Sequence, residues 1–129
     1  FTNLVLEIVN RSLQVDYPQN EIWKILVWAI SEIEKSGSYD KKKLIINIFN
    51  LLLLKILGYQ IQFTQNLICR EINMSLDKPA YELVSKIQKK ESVVDLRLQK
   101  RSNDKLFTFL HKYLQHVIER KISSFDLIK

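Results

Sequence analysis

Apolar residues recur at helical spacing along most of the chain, and the first two helices are predicted from this period. The apolar face of the first consists of Leu4, Ile8, Val9 and Leu13. Pro18 disfavours a helical conformation in the residue before it, so this helix should end near Asp16-Tyr17-Pro18. Asn20 is a candidate cap for the second helix, whose apolar residues are Ile22, Trp23, Leu26, Ile30 and Ile33.

The most apolar stretch predicts a central, buried helix over Lys41–Leu57, because its apolar positions run almost all the way round the helix. Asp40 is a candidate cap at its start. Gly58 is a suitable stop, since glycine adopts the left-handed conformation without a Cβ clash. Ser36-Gly37-Ser38 separates this helix from the one before it.

The second half of the chain predicts a loop and two further helices. Thr64 to Ile72 is expected to be loop with one short turn, and Asp77-Lys-Pro79 to start a helix with proline in its first turn. The inward positions of that helix are Tyr81, Val84 and Ile87. Ser92 to Leu98 is either a short helix or an extended strand, and both readings stay open.

A long terminal helix is predicted to be capped by Ser102 or Asn103. Its apolar stripe consists of Leu106, Phe109, Leu110, Tyr113, Leu114, Val117 and Ile118. The tail from Ile122 to Ile128 is expected to leave this helix and dock on the core. Sequential helices with short connections predict an all-α, compact bundle of about five to six helices around the central helix near 41–57.

Length and composition fit one globular domain over residues 1–129, with 47% hydrophobic and 26% charged residues. Leu44 to Leu57 is too short for a bilayer, which needs about 20 apolar residues, so no membrane partner is expected. A single cysteine cannot form an internal disulfide and is compatible with a reducing cytoplasm.

Residue patterns typical of catalysis and metal binding are missing from the sequence. His111 and His116 are not stacked in the i, i+4 manner of a metal pair, and Cys69 lacks the further ligands that zinc recruits. The sequence has no Gly-rich phosphate loop, no nucleophile elbow and no His-Glu-x-x-His. We therefore expect a protein that is not an enzyme and needs no cofactor or metal.

Basic residues are concentrated in the second half, which carries thirteen Lys or Arg against eight Asp or Glu, within a net charge of +6. If they share a face, they suit nucleic-acid phosphates or an acidic peptide tail; the competing interpretation is a solvated surface. Phe107 is a candidate for base stacking, whereas helical spacing favours a core position for Tyr113. The candidate binding residues are Lys86, Lys89, Lys90, Arg97, Lys100, Arg101, Lys105, Arg120 and Lys121.

Three blocks resemble the C-terminal helical domain of the bacterial recombination mediator RecO. The first pairs Leu4–Leu13 with Ile25–Glu34 across a proline-containing break. The second is Phe49-Asn-Leu-Leu-Leu-Leu-Lys-Ile-Leu-Gly-Tyr59, which leads to Asn66-Leu-Ile-Cys69. The third is the ending Tyr113–Phe125, with its Arg-Lys-hydrophobic-x-Ser sequence.

This resemblance implies a DNA repair and recombination accessory protein of the RecF pathway, at the nucleoid in the bacterial cytoplasm. The partners that it implies are single- and double-stranded DNA, the acidic C-terminal tail of single-strand-binding protein, and RecR. It also implies that the family's N-terminal OB-fold is not in this chain. The alternative is a purely structural helical domain that scaffolds other modules without contacting DNA.

The chain departs from the family at the zinc-binding Cys-x-x-Cys. Asn66 stands where the first cysteine is expected, Cys69 matches the second, and the later cysteine pair is missing. The resemblance therefore implies a metal-free version of this region with a degenerate zinc finger.

Overall fold

The structure is a computed structural model that describes the backbone of residues 19–89 and 97–127 and the side chains of residues 20–89 and 97–119. The helix expected around Leu4–Leu13 lies outside these residues. Most of the segment from Ser92 to Leu98 lies outside them too. The described elements are helices α1 (Gln19–Lys35), α2 (Tyr39–Ile56), α3 (Lys78–Gln88) and α4 (Lys100–Leu127), with strands β1 (Ile68–Cys69) and β2 (Met74–Ser75). The all-α prediction is confirmed, with four helices in the described ranges instead of the expected five to six.

Helix α2 is the central buried element, as predicted, although it begins two residues earlier than expected. Ser38, and not Asp40, is its cap, because the Ser38 hydroxyl accepts a hydrogen bond from the Lys41 N–H. At the other end Gly58 adopts φ +85°, and the N–H groups of Gly58 and Tyr59 donate to the carbonyls of Lys55 and Leu54. These two hydrogen bonds form a Schellman motif, which pairs carbonyls that the helix itself leaves without a partner.

Helix α1 packs one face on α2 and exposes the other. Its buried positions follow the helical period and are Ile22, Leu26, Ala29 and Ile33. Trp23 is 49% exposed, and Val27 and Trp28 are exposed beside it. Position 23 lies one residue, or about 100° of turn, from the buried Ile22.

A small β-hairpin stands where a loop with one turn was expected. Ile68 pairs with Ser75 and Cys69 with Met74 in antiparallel register, and the Leu76 N–H extends the ladder by donating to the Leu67 carbonyl at 3.0 Å. Asn73 in the connecting turn has φ +50°, a conformation that asparagine tolerates better than most residues. Strands of two residues are too short to show the alternation of apolar and polar residues from which a strand is predicted.

Helix α4 begins at Lys100, so Ser102 and Asn103 lie inside its first turn and are not its caps. The Asn103 N–H already donates to the Gln99 carbonyl at 2.9 Å. The apolar stripe of α4 is confirmed, since its members from Leu106 to Val117 are buried. The helix also continues to Leu127, which corrects the expected departure at Ile122; residues 122–127 contain no glycine or proline to end it.

Three helices begin at the same end of the bundle, where consecutive residues of α4 hold them together. Ser102 donates its hydroxyl proton to Asp77, the cap of α3, at 2.6 Å. The Asn103 side-chain amide donates to the Asp40 carbonyl at 2.9 Å and accepts from the Asn47 amide at 2.7 Å. Asp104 pairs with Lys43 at 2.9 Å. At the opposite end, the Lys55 ammonium donates to the Ile87 carbonyl at 2.9 Å.

Replacing Asp77 with Ala is expected to destabilise the chain by about 2 kcal/mol, because the change removes both a helix cap and the carboxylate that Ser102 contacts. Asp77→Asn is the matched control, since its amide oxygen can still cap α3, and it should cost less than half as much. Urea unfolding followed by circular dichroism measures both. Equal losses for the two variants would show that the capping oxygen does not matter.

Candidate nucleic-acid interface

The predicted basic residues fall on two elements. Lys86 and Lys89 lie at the C-terminal end of α3, whereas Lys100, Arg101 and Lys105 lie in the first turns of α4; Arg97 precedes that helix. All six side chains are exposed. Lys90 lies outside the described residues, and the side chains of Arg120 and Lys121 are outside them too.

These two basic groups lie near opposite ends of α3. The start of α3 adjoins α4 through the contact between Asp77 and Ser102, which places Lys100 and Arg101 at that end. At about 1.5 Å per residue, Lys86 and Lys89 lie roughly 12 to 17 Å further along the axis of α3. The predicted cations are therefore spread over the length of α3 instead of forming one compact cluster.

One continuous basic stripe follows the exposed side of α4. Arg101, Lys105 and Lys112 recur at the i, i+4, i+11 spacing of a single helix face, and all three are exposed, with the exposed Thr108 between them. We call Arg101, Lys105, Thr108 and Lys112 the basic stripe. Lys112 was missed in the sequence, although its seven-residue spacing from Lys105 indicates the shared face.

The first turn of α2 adds positive charge at the end of the bundle where α4 begins. Lys41 is exposed and Lys42 half-buried, and α2 is held against α4 there by the bond from Asn103 to the Asp40 carbonyl. Asp104 is the acidic residue nearest to the stripe in sequence, and its carboxylate is already paired with Lys43. Glu119, seven residues after Lys112, is exposed on the same face, so the positive potential of the stripe is limited to the part of α4 before it.

The aromatic and histidine side chains of α4 divide into core and boundary positions. Tyr113 is 1% exposed, which confirms its predicted core position, while Phe107 is half-buried at the edge of the core. His111 lies with its Nδ1 3.2 Å from the Phe107 carbonyl. His116 lies with its Nε2 3.6 Å from the Glu71 carboxylate, which connects α4 to the hairpin.

A groove of about 360 Å³ lies between α3 and the segment 60–63. Its wall is fixed by Gln88, whose amide oxygen accepts the Ile61 N–H at 2.8 Å. Phe63 and Tyr81 meet edge to face in this wall, with ring centroids 5.3 Å apart, and Lys89 lines the groove. The lining mixes apolar and polar groups, with Gln60, Gln62, Ser85 and Gln88 among the latter.

The residues around the hairpin do not fit the zinc site of the resembling family. Cys69 is fully buried, and this burial raises the pKa of its thiol, against the opposing effect of the Ile72 and Glu71 N–H groups. Zinc needs a thiolate and three further ligands. In the described ranges, no three His, Cys, Asp or Glu side chains are grouped closely enough to hold a metal ion.

No helix in the described part of the chain is both long enough and apolar enough to span a membrane. The described elements define a small helical domain with exposed basic residues along α4.

The chain belongs to the family of RecO C-terminal domains. The family model described as "Recombination protein O C terminal" matches residues 1–78, a range that includes α1, α2, the hairpin and the cap of α3. Comparison with curated proteins and with solved structures gave no match. Family membership assigns the chain a role in DNA recombination and repair.

Burial predicts that Cys69 reacts slowly with a thiol reagent in the folded chain, because the reactive species is the exposed thiolate. Ellman's reagent at neutral pH should modify it much more slowly in buffer than in denaturing urea. The reaction in urea is the control for the reagent. Equal rates in both solutions would contradict the buried position.

Proposed function

We propose that the chain is a non-enzymatic accessory domain of recombinational repair that binds the phosphate backbone of DNA through the basic stripe of α4. The observation that carries this proposal is the alignment of Arg101, Lys105 and Lys112 on one exposed helix face. Cations along a face can neutralise successive phosphates and release their counterions. Such contacts position a strand without reading its sequence.

The surroundings of the stripe support the same function. Lys41 and Lys42 add positive charge in the first turn of α2, and the N-termini of α2, α3 and α4 meet at this end, where the helix dipoles favour negative charge. The pairing of Asp104 with Lys43 reduces the repulsion that a phosphate would meet. The proposed setting is the RecF pathway in the bacterial cytoplasm, with RecR as a further partner to which we assign no surface.

Neutralising two members of the stripe should weaken DNA binding and its dependence on salt. For Lys105→Ala/Lys112→Ala, we expect the slope of log K against log salt to fall by about two, because each lost phosphate contact removes about one unit. The measurement is fluorescence anisotropy with a labelled DNA across a salt series.

The matched control is Lys24→Ala/Lys35→Ala, which removes the same charge from exposed positions on α1. Its salt slope should stay within about half a unit of the unaltered chain. Equal effects of the two double variants would contradict the stripe. If the unaltered chain binds no DNA at any salt concentration, the alternative of a structural, scaffolding domain replaces the proposal.

The groove at the other end of α3 favours a second function, the capture of the acidic, hydrophobic tail of single-strand-binding protein. Lys89 lines the groove and Lys86 lies one turn before it, while Phe63 and Tyr81 offer apolar surface. A peptide with carboxylates and an apolar end matches both features. This function uses the basic group that the DNA stripe does not.

Replacing Lys86 and Lys89 with Ala should weaken binding of the acidic tail peptide by about tenfold, because two charge-assisted contacts are lost. The Lys105→Ala/Lys112→Ala variant is the control and should bind the peptide as the unaltered chain does. Anisotropy of a labelled peptide gives both affinities. An unchanged affinity after loss of Lys86 and Lys89 excludes the groove.

A further inference from the structure

A row of aromatic rings lies beside the basic stripe, at the seam between α2 and α4. The Lys43 ammonium lies 5.4 Å from the centre of the Tyr39 ring and 4.9 Å from the centre of the Phe107 ring. Phe107 in turn lies 4.5 Å from the His111 ring, tilted by 41°. We call Tyr39, Phe107 and His111 the aromatic row.

Lys43 holds this row in place and is not itself a free phosphate ligand. Its ammonium is bonded to Asp104 at 2.9 Å, and its side chain is only 16% exposed. A cation over an aromatic face is attracted to the ring, more strongly where water is excluded. Lys43 therefore contacts two rings from different helices with one charge.

The rings keep surface available to a ligand. Tyr39 is 63% exposed, and both Phe107 and His111 are half-buried with one part toward solvent. These rings do not fill the core in the way that the buried Phe109 and Tyr113 do. An exposed ring held in a fixed orientation is what a base needs for stacking.

The aromatic row and the basic stripe run side by side along α4. Phe107 and His111 occupy i, i+4 positions, and each is followed directly by a member of the stripe, Thr108 or Lys112. A strand whose phosphates follow the stripe would thus carry its bases toward the row. In a duplex the bases are already stacked on each other, so this match is specific to unpaired bases.

We propose that the aromatic row is a base-stacking subsite, which makes the α4 surface selective for single-stranded over double-stranded DNA. This inference rests on the proposed binding of phosphates by the basic stripe. Tyr39, the exposed ring, supplies the stacking face, Phe107 and His111 continue the row, and Lys43 is a positioning residue. The selectivity comes from the rings, whereas the cations bind either form of DNA.

The test compares three labelled ligands: oligothymidylate, a duplex of the same length, and an abasic oligonucleotide that keeps the phosphates. Tyr39→Ala should weaken binding of oligothymidylate by about tenfold, the scale of one lost base stack, and change the other two affinities by less than about twofold. Phe107→Leu keeps an apolar side chain at the edge of the core and should act in the same direction. Trp23→Ala is the matched control, since it removes an exposed aromatic ring from α1, and should leave all three affinities unchanged.

The outcomes distinguish the stacking subsite from phosphate binding by the basic stripe. Equal weakening of oligothymidylate and the abasic ligand by Tyr39→Ala, or no weakening of either, overturns the stacking subsite. If Lys105→Ala/Lys112→Ala weakens all three ligands in that case, phosphate binding by the stripe still stands. If that double variant changes nothing, the proposed function fails first and the subsite with it. Circular dichroism confirms that the variants are folded, and the exposed Tyr39 gives a result even if Phe107→Leu unfolds.

Discussion

The structure depends on three consecutive polar residues at the start of α4, each of which bonds to another part of the bundle. Ser102 contacts the cap of α3, Asn103 contacts the start of α2, and Asp104 pairs with Lys43. Ser102 and Asn103 are almost fully buried, and buried polar groups cost stability unless they are paired. Any rotation or shift of α4 would break these bonds together, so they fix its position and the direction in which its other faces point.

The candidate interface follows from this fixed position. With residues 102 and 103 turned inward, the helical period places Arg101 and Lys105 outward and buries Leu106, Phe109 and Leu110 in the core. The pair between Asp104 and Lys43 lies at the boundary, where its partly exposed charges contribute at most about 1 kcal/mol to stability. Its larger effect is on the candidate interface, because it neutralises an acid beside the stripe and holds a cation near both Tyr39 and Phe107.

Local signals in the sequence predicted the elements well, whereas contacts between distant residues could not be read from it. Pro79 after Asp77 and the glycine at position 58 each act within one helical turn, and both predictions are confirmed. Ser102 and Asn103 have the chemistry of helix caps, but their partners lie far away in sequence, so their roles were misassigned. The exposure of the basic residues was predictable from charge alone. Their division between the two ends of α3 depends on how α3 meets α4, which periodicity does not encode.

The family match and the basic stripe occupy different parts of the chain, yet residues in the matched part fix the orientation of the stripe. The match ends at residue 78, before α4 begins, and the basic stripe lies wholly on α4. The groups that hold the start of α4, however, belong to Asp40, Lys43, Asn47 and Asp77, all within the matched residues. The matched segment therefore supplies the contacts that orient α4 and, with it, the basic stripe. Tyr39, at the first residue of α2, belongs to the same segment, so a strand bound along α4 would contact both parts of the chain at once.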